Sequence, residues 1–382
     1  MLIGIDASNI NSGGGLTHLL ELLKSFDDLV NDDVHIYIWI DRSVSNEIGS
    51  YGWLTKFPLG KSNSNILFRF FWQLFFLPLK LKSLGCEILF VPGSIFLGCF
   101  HPNIVMSQNM LPFEWLELRR YGFTITLFRL ILLRILQTLT FKKADGVIFL
   151  SHFARTKIQK ITGTLSGAIK LIPHGVCNRF ISVPKKQLPI NAYSLDRPYK
   201  IIYVSIVDVY KHQWNVVEAV GSLRLKTGWP LSLSLVGPHA PQGKIKLDNA
   251  IKKWDPQCIW ITLDDDVPHK QVHEKYFEAD LGLFASSCEN LPIILLELMA
   301  SGLPIGCSNR GPMPEILRDY GVYFNPEYSQ DIAMALELLI SNTSLREDLS
   351  KKSFEESLNY TWSGCAKDTY NFLSSMIHSN YK

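Results

Sequence analysis

The chain has 382 residues, of which 47% are hydrophobic and 19% are charged. This length and composition provide enough apolar residues for two domains of ordinary size, each with its own core. The formal net charge is only +3, so the composition does not indicate a nucleic-acid-binding protein, which would need a basic surface.

The cysteines are odd in number and scattered, and no two of them have the C-x-x-C spacing. This pattern argues against a disulfide framework and against a zinc site, and it favours the reducing cytosol. The seven are Cys86, Cys99, Cys177, Cys258, Cys288, Cys307 and Cys365.

The N-terminal sequence MLIGIDASNI is a short apolar run that contains Asp6. Because it lacks a basic region and a cleavage signal, it predicts a first strand and not a signal peptide. Gly13, Gly14 and Gly15 follow, and then a helical pattern from Leu16 to Phe26. Further strands of the first half are predicted at His35–Ile40, Ile88–Val91, Ile104–Met106, Gly146–Leu150 and Lys170–Ile172.

A proline-containing segment without periodicity, Ser182–Pro198, is the best candidate for a linker. After it the alternation of strands and helices resumes, with strands predicted at Lys200–Val204, Leu231–Val236, Ile259–Leu263, Leu281–Phe284 and Pro304–Cys307. Such alternation predicts two α/β domains with doubly wound parallel sheets, residues 1–180 and 198–360. Ligands of such domains bind at the carboxyl ends of the strands, and these ends can face each other across a cleft.

The most specific stretch of the sequence runs from Cys288 to Pro304 and follows the predicted strand Leu281–Phe284. Pro292 lies where a first helical turn accepts proline, and an apolar helix follows it. Glu289 therefore lies in the loop between strand and helix, and Glu297 lies about two turns further along.

This arrangement suits a diphosphate sugar, because a helix start offers free backbone N–H groups to phosphate. One carboxylate can accept hydrogen bonds from sugar hydroxyls, and a second can bind the ribose. The alternative is that Glu289 caps the helix and Glu297 forms a surface ion pair. Because Glu297 is embedded in the apolar run ILLELMA, its burial would require a partner such as a ligand.

The E-x7-E spacing, followed by a small residue and G-x-P, resembles the retaining glycosyltransferase family 4, also called group 1, which has the GT-B fold. The resemblance extends over most of the chain, through GGGLTHLLELL, ADGVIFLSHFART, LIPHGV, YVSIVDVYKHQWNVVEAV, SLVGP and YTWSGCAKDTYNFL. The last of these resembles a C-terminal helix, here residues 363–382, that joins the first domain. The fold implied is GT-B: two Rossmann-like domains.

The resemblance implies roles for particular residues. Lys211 matches the lysine that neutralises the diphosphate leaving group, and Glu289 is expected to be catalytic with it. The donor would be bound by Asn290, Leu291, Pro292 and Glu297. The glycines Gly13, Gly14 and Gly15 would let the backbone approach donor phosphates or acceptor.

Two positions depart from the family pattern. Ile206 stands where an arginine is usual, so Lys211 would need another cation, such as His212 or Arg310. Gln108, beside Asn109, takes the place of a histidine in the first domain. Glutamine can donate and accept hydrogen bonds but cannot titrate, so Gln108 and Asn109 are predicted to orient a ligand.

We expect neither a metal nor another cofactor, since the nucleotide sugar is a substrate. The acidic run Asp264-Asp265-Asp266 looks like a metal-binding D-x-D motif, but it lies where the family has a loop before a helix. No nucleic-acid partner is expected.

Two segments, residues 65–82 and 119–143, combine aromatic or aliphatic side chains with Arg and Lys. Neither predicts a membrane span, because charges or Pro78 interrupt each one. They could contact an anionic membrane surface or simply pack in the first domain with their charges solvated. The first alternative implies a cytoplasmic protein at the inner face of the inner membrane.

Taken with the resemblance, these features imply a hexosyltransferase, such as a mannosyltransferase, of bacterial O-antigen or lipopolysaccharide synthesis. The donor would be a GDP- or UDP-sugar and the acceptor a lipid-linked glycan. Two alternatives remain open: a non-catalytic partner subunit with the same fold, or a nucleotide-sugar epimerase.

Overall fold

A computed structural model describes residues 1–30, 33–60, 70–265 and 267–379. The chain divides into two compact units. The first unit comprises Met1–Leu118, Phe123–Gly175 and Thr361–Lys382, and the second comprises Arg119–Gly122 and Val176–Tyr360.

The described part of the first unit contains a seven-stranded parallel sheet in the order β3-β2-β1-β4-β5-β6-β7. Its strands are β1 (Leu2–Ala7), β2 (His35–Asp41), β3 (Leu54–Leu59), β4 (Ile88–Val91), β5 (Asn103–Met106), β6 (Gly146–Phe149) and β7 (Ala168–Leu171). Its helices are α1 (Gly13–Phe26), α2 (Leu77–Ser83), α3 (Trp115–Arg119), α4 (Ile125–Lys143), α5 (His152–Thr162) and, from the C-terminal segment, α13 (Trp362–Ser379). The central strands are buried on both faces, which explains their continuous apolar runs.

The described part of the second unit contains a six-stranded parallel sheet in the order β10-β9-β8-β11-β12-β13. Its strands are β8 (Tyr199–Val204), β9 (Leu231–Val236), β10 (Ile261–Asp264), β11 (Leu281–Phe284), β12 (Ile305–Ser308) and β13 (Val322–Phe324). Its helices are α6 (Gln213–Thr227), α7 (Pro241–Trp254), α8 (Val272–Glu278), α9 (Ile293–Ala300), α10 (Met313–Leu317), α11 (Ser329–Ser341) and α12 (Thr343–Ser357).

Each sheet has one point where the strand order reverses. In the first unit this point lies between β1 and β4, and in the second between β8 and β11. Loops that leave the carboxyl ends of two such strands diverge to opposite faces of the sheet and leave a crevice for a ligand. The order of strands therefore singles out the loops after β1, β4, β8 and β11.

All of the predicted strands are present, with ends shifted by at most two residues. The prediction missed β3, an edge strand that contains Pro58, because proline lowers the strand signal although an edge tolerates it. It also missed β13, which has only three residues. The glycines at Gly13–Gly15 form the first turn of α1 and not a preceding loop, and Gly13 has a φ of +65°.

The proposed linker segment is held against the second unit by Arg346 of α12, whose side chain is fully buried. Its Nε donates to Gln187 Oε1 at 3.0 Å, and its Nη2 donates to the Leu188 carbonyl at 2.6 Å. Its Nη1 donates to the carbonyls of Leu339 and Ile340, at the end of α11. Arg346 therefore ties the segment before β8 to the helices that follow β13.

Candidate functional site

The crevice of the second unit contains a buried ion pair. Lys211 lies in the loop after β8 and Glu289 in the loop after β11, and Lys211 Nζ contacts Glu289 Oε1. The two side chains are 5% and 15% exposed. The fold thus brings together, across 78 positions of sequence, the two residues that the sequence predicts to be catalytic.

Backbone contacts and aromatic rings fix the position of Lys211. Its amide donates to the Asp208 carbonyl at 3.0 Å, and its own carbonyl accepts from the Tyr203 hydroxyl at 2.8 Å. Its ammonium lies 5.1 Å from the Tyr210 ring centroid and 5.4 Å from that of Phe284. Ring faces attract a desolvated cation, so these contacts help to hold a charged lysine where water is scarce.

Of the two candidates for a second cation, His212 is neutral. Burial lowers the pKa of His212 to about 3, and its Nε2 lies 2.9 Å from Ser287 Oγ. Arg310 follows β12, is half exposed and has its guanidinium 3.7 Å from Glu327. A Cβ on the adjacent Gly311 would lie 3.7 Å from the Glu289 backbone nitrogen. Arg310 is therefore the charged candidate beside the loop of Glu289.

Helix α9 begins in the same crevice. Asn290, Leu291 and Pro292 are buried and lead into it, and the Leu295 amide donates to the Pro292 carbonyl at 3.1 Å. The first amides of a helix have no partner within it and carry the positive end of the helix dipole. Only Asn290, Leu291 and Pro292 separate Glu289 from α9, so the helix begins in the same loop as the ion pair.

Glu297 lies on α9, as predicted, with its side chain 2% exposed. It does not form a surface ion pair: its Oε1 lies 2.7 Å from Nε2 of His269. His269 Nδ1 is in turn 3.1 Å from Nη2 of Arg179. Tyr276 of α8 also lies near Glu297. Burial, the Glu297 charge and a hydrogen bond to Glu297 raise the pKa of its hydroxyl well above the usual value.

Arg179, His269 and Tyr276 are the residues of this site that sequence reasoning missed. Arg179 and His269 are 90 positions apart along the chain, and His269 and Glu297 are 28 positions apart. The segment that contains His269 has no motif, so only the fold reveals the contact.

In the first unit, two predicted substrate-binding positions adjoin each other at the carboxyl ends of β1 and β5. A Cβ added to Gly15 would lie 2.8 Å from Gln108 Oε1, so only glycine fits there without displacing the amide. The Gln108 backbone amide donates to Ser94 Oγ at 3.1 Å, and Asn109 Oδ1 accepts from the Leu111 amide at 3.0 Å. Gly13 and Gly14 continue the same helical turn.

The acidic run has other partners in its described part. Asp264 lies 2.9 Å from Lys275, and Asp265 lies 3.0 Å from His239. Asp266 falls outside the described residues. Within the ranges that the structure describes, no three His, Cys, Asp or Glu side chains are grouped so that they could hold a metal ion.

Helix α4 of the first unit faces outward with an apolar stripe. Its exposed aliphatic and aromatic residues recur at spacings of three and four: Ile125, Phe128, Leu132, Ile135 and Leu139. Its buried side includes the polar Gln137 and Thr140. A surface helix normally buries its apolar stripe, whereas α4 buries Leu130 and Phe141 and leaves this stripe exposed.

A second exposed apolar group comprises Phe71, which precedes the π-helical turn Trp72–Phe76, Phe75 and Phe76 of that turn, and Leu79 of α2. This turn and α4 bind the same loop. Gln73 Nε2 donates to the Ile95 carbonyl at 2.9 Å, and Thr140 Oγ1 donates to the Phe96 carbonyl at 3.1 Å. No described helix is long and apolar enough to cross a bilayer.

Comparison with known proteins addresses the identity of the second unit. Residues 189–356 match the family model of glycosyl transferases group 1. The second unit contains a glycosyl transferase group 1 domain. The matched range includes Lys211, Glu289 and Glu297, so the buried ion pair and the glutamate on α9 both belong to this group 1 domain.

A wider relationship extends outside that domain. The O-antigen chain mannosyltransferase B of Escherichia coli is 22% identical over 237 residues, which are 60% of this chain and 60% of that protein. The similarity to this curated relative therefore spans less than two thirds of its length.

Solved structures extend the likeness to the whole fold. Sucrose-phosphate synthase from Thermosynechococcus elongatus has a TM-score of 0.78 at 15% identity, covering 99% of this chain and 100% of that one. Anabaena Alr3699/HepE, in complex with UDP and glucose, has a TM-score of 0.72 at 14% identity, covering 98% and 100%. The fold class is GT-B: two α/β domains with parallel sheets, as predicted.

Proposed function

We propose that the protein is a glycosyltransferase that moves a hexose, with mannose as the first candidate, from a GDP- or UDP-sugar to a glycan acceptor. The observation that carries the proposal is the buried Lys211–Glu289 pair at the switch point of a group 1 domain, beside the start of α9. HepE is a fold relative whose structure contains UDP and glucose, which supports a nucleotide-sugar donor.

In this proposal Lys211 and the first amides of α9 bind the donor diphosphate. The bond between the anomeric carbon and the diphosphate oxygen breaks, and negative charge grows on the diphosphate. A fixed cation stabilises that charge more in the transition state than in the ground state. Glu289 orients the sugar hydroxyls, and Glu297 binds the ribose.

We further propose that the transfer retains the anomeric configuration. Inversion requires a general base near the acceptor hydroxyl, and the corresponding position carries Gln108, which does not titrate. Neither glutamate is proposed as a nucleophile, since Glu289 is paired with Lys211 and Glu297 with His269. The acceptor oxygen bonds to the anomeric carbon on the face that the diphosphate leaves, and its proton passes to the departing diphosphate.

The acceptor is proposed to be a lipid-linked glycan of bacterial surface-polysaccharide synthesis, in the cytoplasm. Two observations support this: the Escherichia coli relative is an O-antigen mannosyltransferase, and α4 presents an outward apolar stripe. An enzyme that adds sugars to a lipid-linked chain gains from lying at the membrane surface. No metal takes part in the proposed reaction.

Incubation of the purified protein with GDP-, UDP- and dTDP-sugars tests donor and stereochemistry together. We expect slow hydrolysis of one donor class, and NMR should show that the first released sugar has the anomeric configuration of the donor. Loss of Glu289, in a Glu289→Gln variant, should abolish the hydrolysis. An inverted product would contradict the retaining mechanism.

The same incubation separates the alternatives. An epimerase would convert the sugar within the intact nucleotide sugar, without releasing the nucleoside diphosphate. A non-catalytic partner subunit would leave every donor unchanged. Either outcome would replace the transferase proposal.

Peripheral binding to an anionic membrane is the second testable part. Helix α4 contains Arg129, Arg134, Lys142 and Lys143 but no Asp or Glu, so a second copy of this face would repel it, whereas anionic lipid would attract it. Each cation near such a surface contributes about 1 kcal/mol. We expect the protein to bind vesicles containing anionic lipid and to dissociate as salt shortens the screening length, about 8 Å at physiological ionic strength.

A Phe128→Asp/Leu132→Asp variant should lose vesicle binding while it keeps its melting temperature, because both side chains are exposed. Leu225→Asp, an exposed leucine of the second unit, is the matched control and should bind as the wild type does. Equal binding to neutral and anionic vesicles at low salt would refute the electrostatic contribution.

A further inference from the structure

Glu297 is buried with unequal surroundings at its two oxygens. Oε1 lies 2.7 Å from His269 Nε2. Oε2 is buried, and the buried Tyr276 hydroxyl beside Glu297 is a described donor that interacts with this carboxylate. A buried carboxylate oxygen without a donor is costly, so the orientation of Glu297 depends on His269 and Tyr276.

The contacts of His269 determine which of its nitrogens carries the proton. Nδ1 lies 3.1 Å from Nη2 of Arg179, and a guanidinium donates hydrogen bonds but cannot accept them. Nδ1 is therefore the acceptor, and the ring proton is on Nε2, directed to Glu297. His269 therefore donates to the Glu297 carboxylate and orients it.

The ring of His269 is also held from the side. Its centroid lies 5.6 Å from that of Phe180, and the Arg179 guanidinium carbon lies 5.1 Å from the same Phe180 ring. Arg179 and His269 thus share one aromatic support. This packing fixes the imidazole so that its hydrogen bond restricts Glu297 to one rotamer.

We propose that His269, with its tautomer set by Arg179, is a positioning residue that holds the Glu297 carboxylate in the orientation in which it binds the hydroxyls of the nucleotide ribose. The inference rests on the proposed function, because it assumes a nucleotide at α9. It adds that affinity for the nucleotide depends on Arg179 and His269, which act through Glu297. Because His269 only orients Glu297, its replacement should change the affinity for the donor and not the turnover.

The test compares His269→Leu with His269→Gln, whose amide nitrogen can replace Nε2 as the donor to Glu297. We expect His269→Leu to weaken binding of GDP or UDP, whichever the wild type binds, roughly ten- to hundredfold. KM for the donor should rise with it while kcat changes little, and His269→Gln should restore most of the affinity. His101→Leu is the control, since His101 is exposed and pairs with Asp145 in the first unit.

A spectroscopic measurement separates this inference from the proposed function. In ¹⁵N-labelled protein, the His269 signals, assigned by their loss in His269→Gln, should show a protonated Nε2 and an unprotonated Nδ1. Arg179→Leu should lose that preference. A proton on Nδ1 in the wild type, or unchanged nucleotide affinity in His269→Leu, would overturn the inference alone, whereas a wild type that binds no nucleoside diphosphate would overturn both.

Discussion

Replacing Lys211 with alanine should lower kcat about a hundredfold, the effect of removing one fixed charge from a developing anion. Donor affinity should fall less, because the charge on the diphosphate is largest when the bond breaks. Lys211→Met should behave alike, since it keeps the apolar stem between the rings of Tyr210 and Phe284 but removes the ammonium. Steady-state kinetics with the preferred donor would measure both parameters.

The control for Lys211 is Lys226→Ala, which removes an exposed cation of α6 that pairs with Glu337. It should leave kcat and KM unchanged. Both Lys211 variants also leave Glu289 without its ion-pair partner, so their folding must be checked by circular dichroism. A folded Lys211→Ala protein with wild-type turnover would show that this lysine does not stabilise the leaving group.

Replacing Arg346 with leucine should destabilise the second unit by about 3–5 kcal/mol, because its buried acceptors lose their donor together. These are Gln187 Oε1 and the carbonyls of Leu188, Leu339 and Ile340. Arg346→Lys should recover only part of the loss, since an ammonium cannot reproduce the geometry of the guanidinium fork. Denaturant unfolding followed by fluorescence would measure the difference.

Lys352→Ala is the matched control on the same helix. Lys352 is half exposed and pairs with Asp348 one turn away, so its loss should leave the free energy of unfolding almost unchanged. If Arg346→Leu has the same free energy of unfolding as the wild type, the position of the segment before β8 does not depend on this side chain.

The alternation of short apolar runs with helical patterns was sufficient to predict both sheets. Leu281–Phe284 was predicted with its observed bounds, since a fully buried parallel strand is a continuous apolar run with polar neighbours at its ends. The placement of Glu297 on a buried helix followed in the same way from the apolar residues around it. The strand with Pro58 could not be predicted. A sheet tolerates proline only at its edge, and the sequence does not show which strand has a neighbour on one side only.

The candidate site was predicted in part, because its motif is local and its partners are not. Glu289 and Glu297 stand in one short segment with recognisable spacing. Arg179 and His269 are connected to Glu297 only by the fold, and His212, a possible cation by sequence, is neutral because burial lowers its pKa to about 3. Sequence could not reveal that burial, since it depends on neighbours that the fold assembles.

The apolar side chains of helix α4 form a buried group and an exposed group. Leu130 and Phe141 pack in the core of the first unit, whereas Phe128 and Leu132 contribute little to it because they face outward. Substitutions on the outer stripe should therefore leave the folding of the first unit unchanged, whatever their effect on the membrane binding proposed for this helix. Selection can accordingly adjust the two properties independently, through different residues of a single helix.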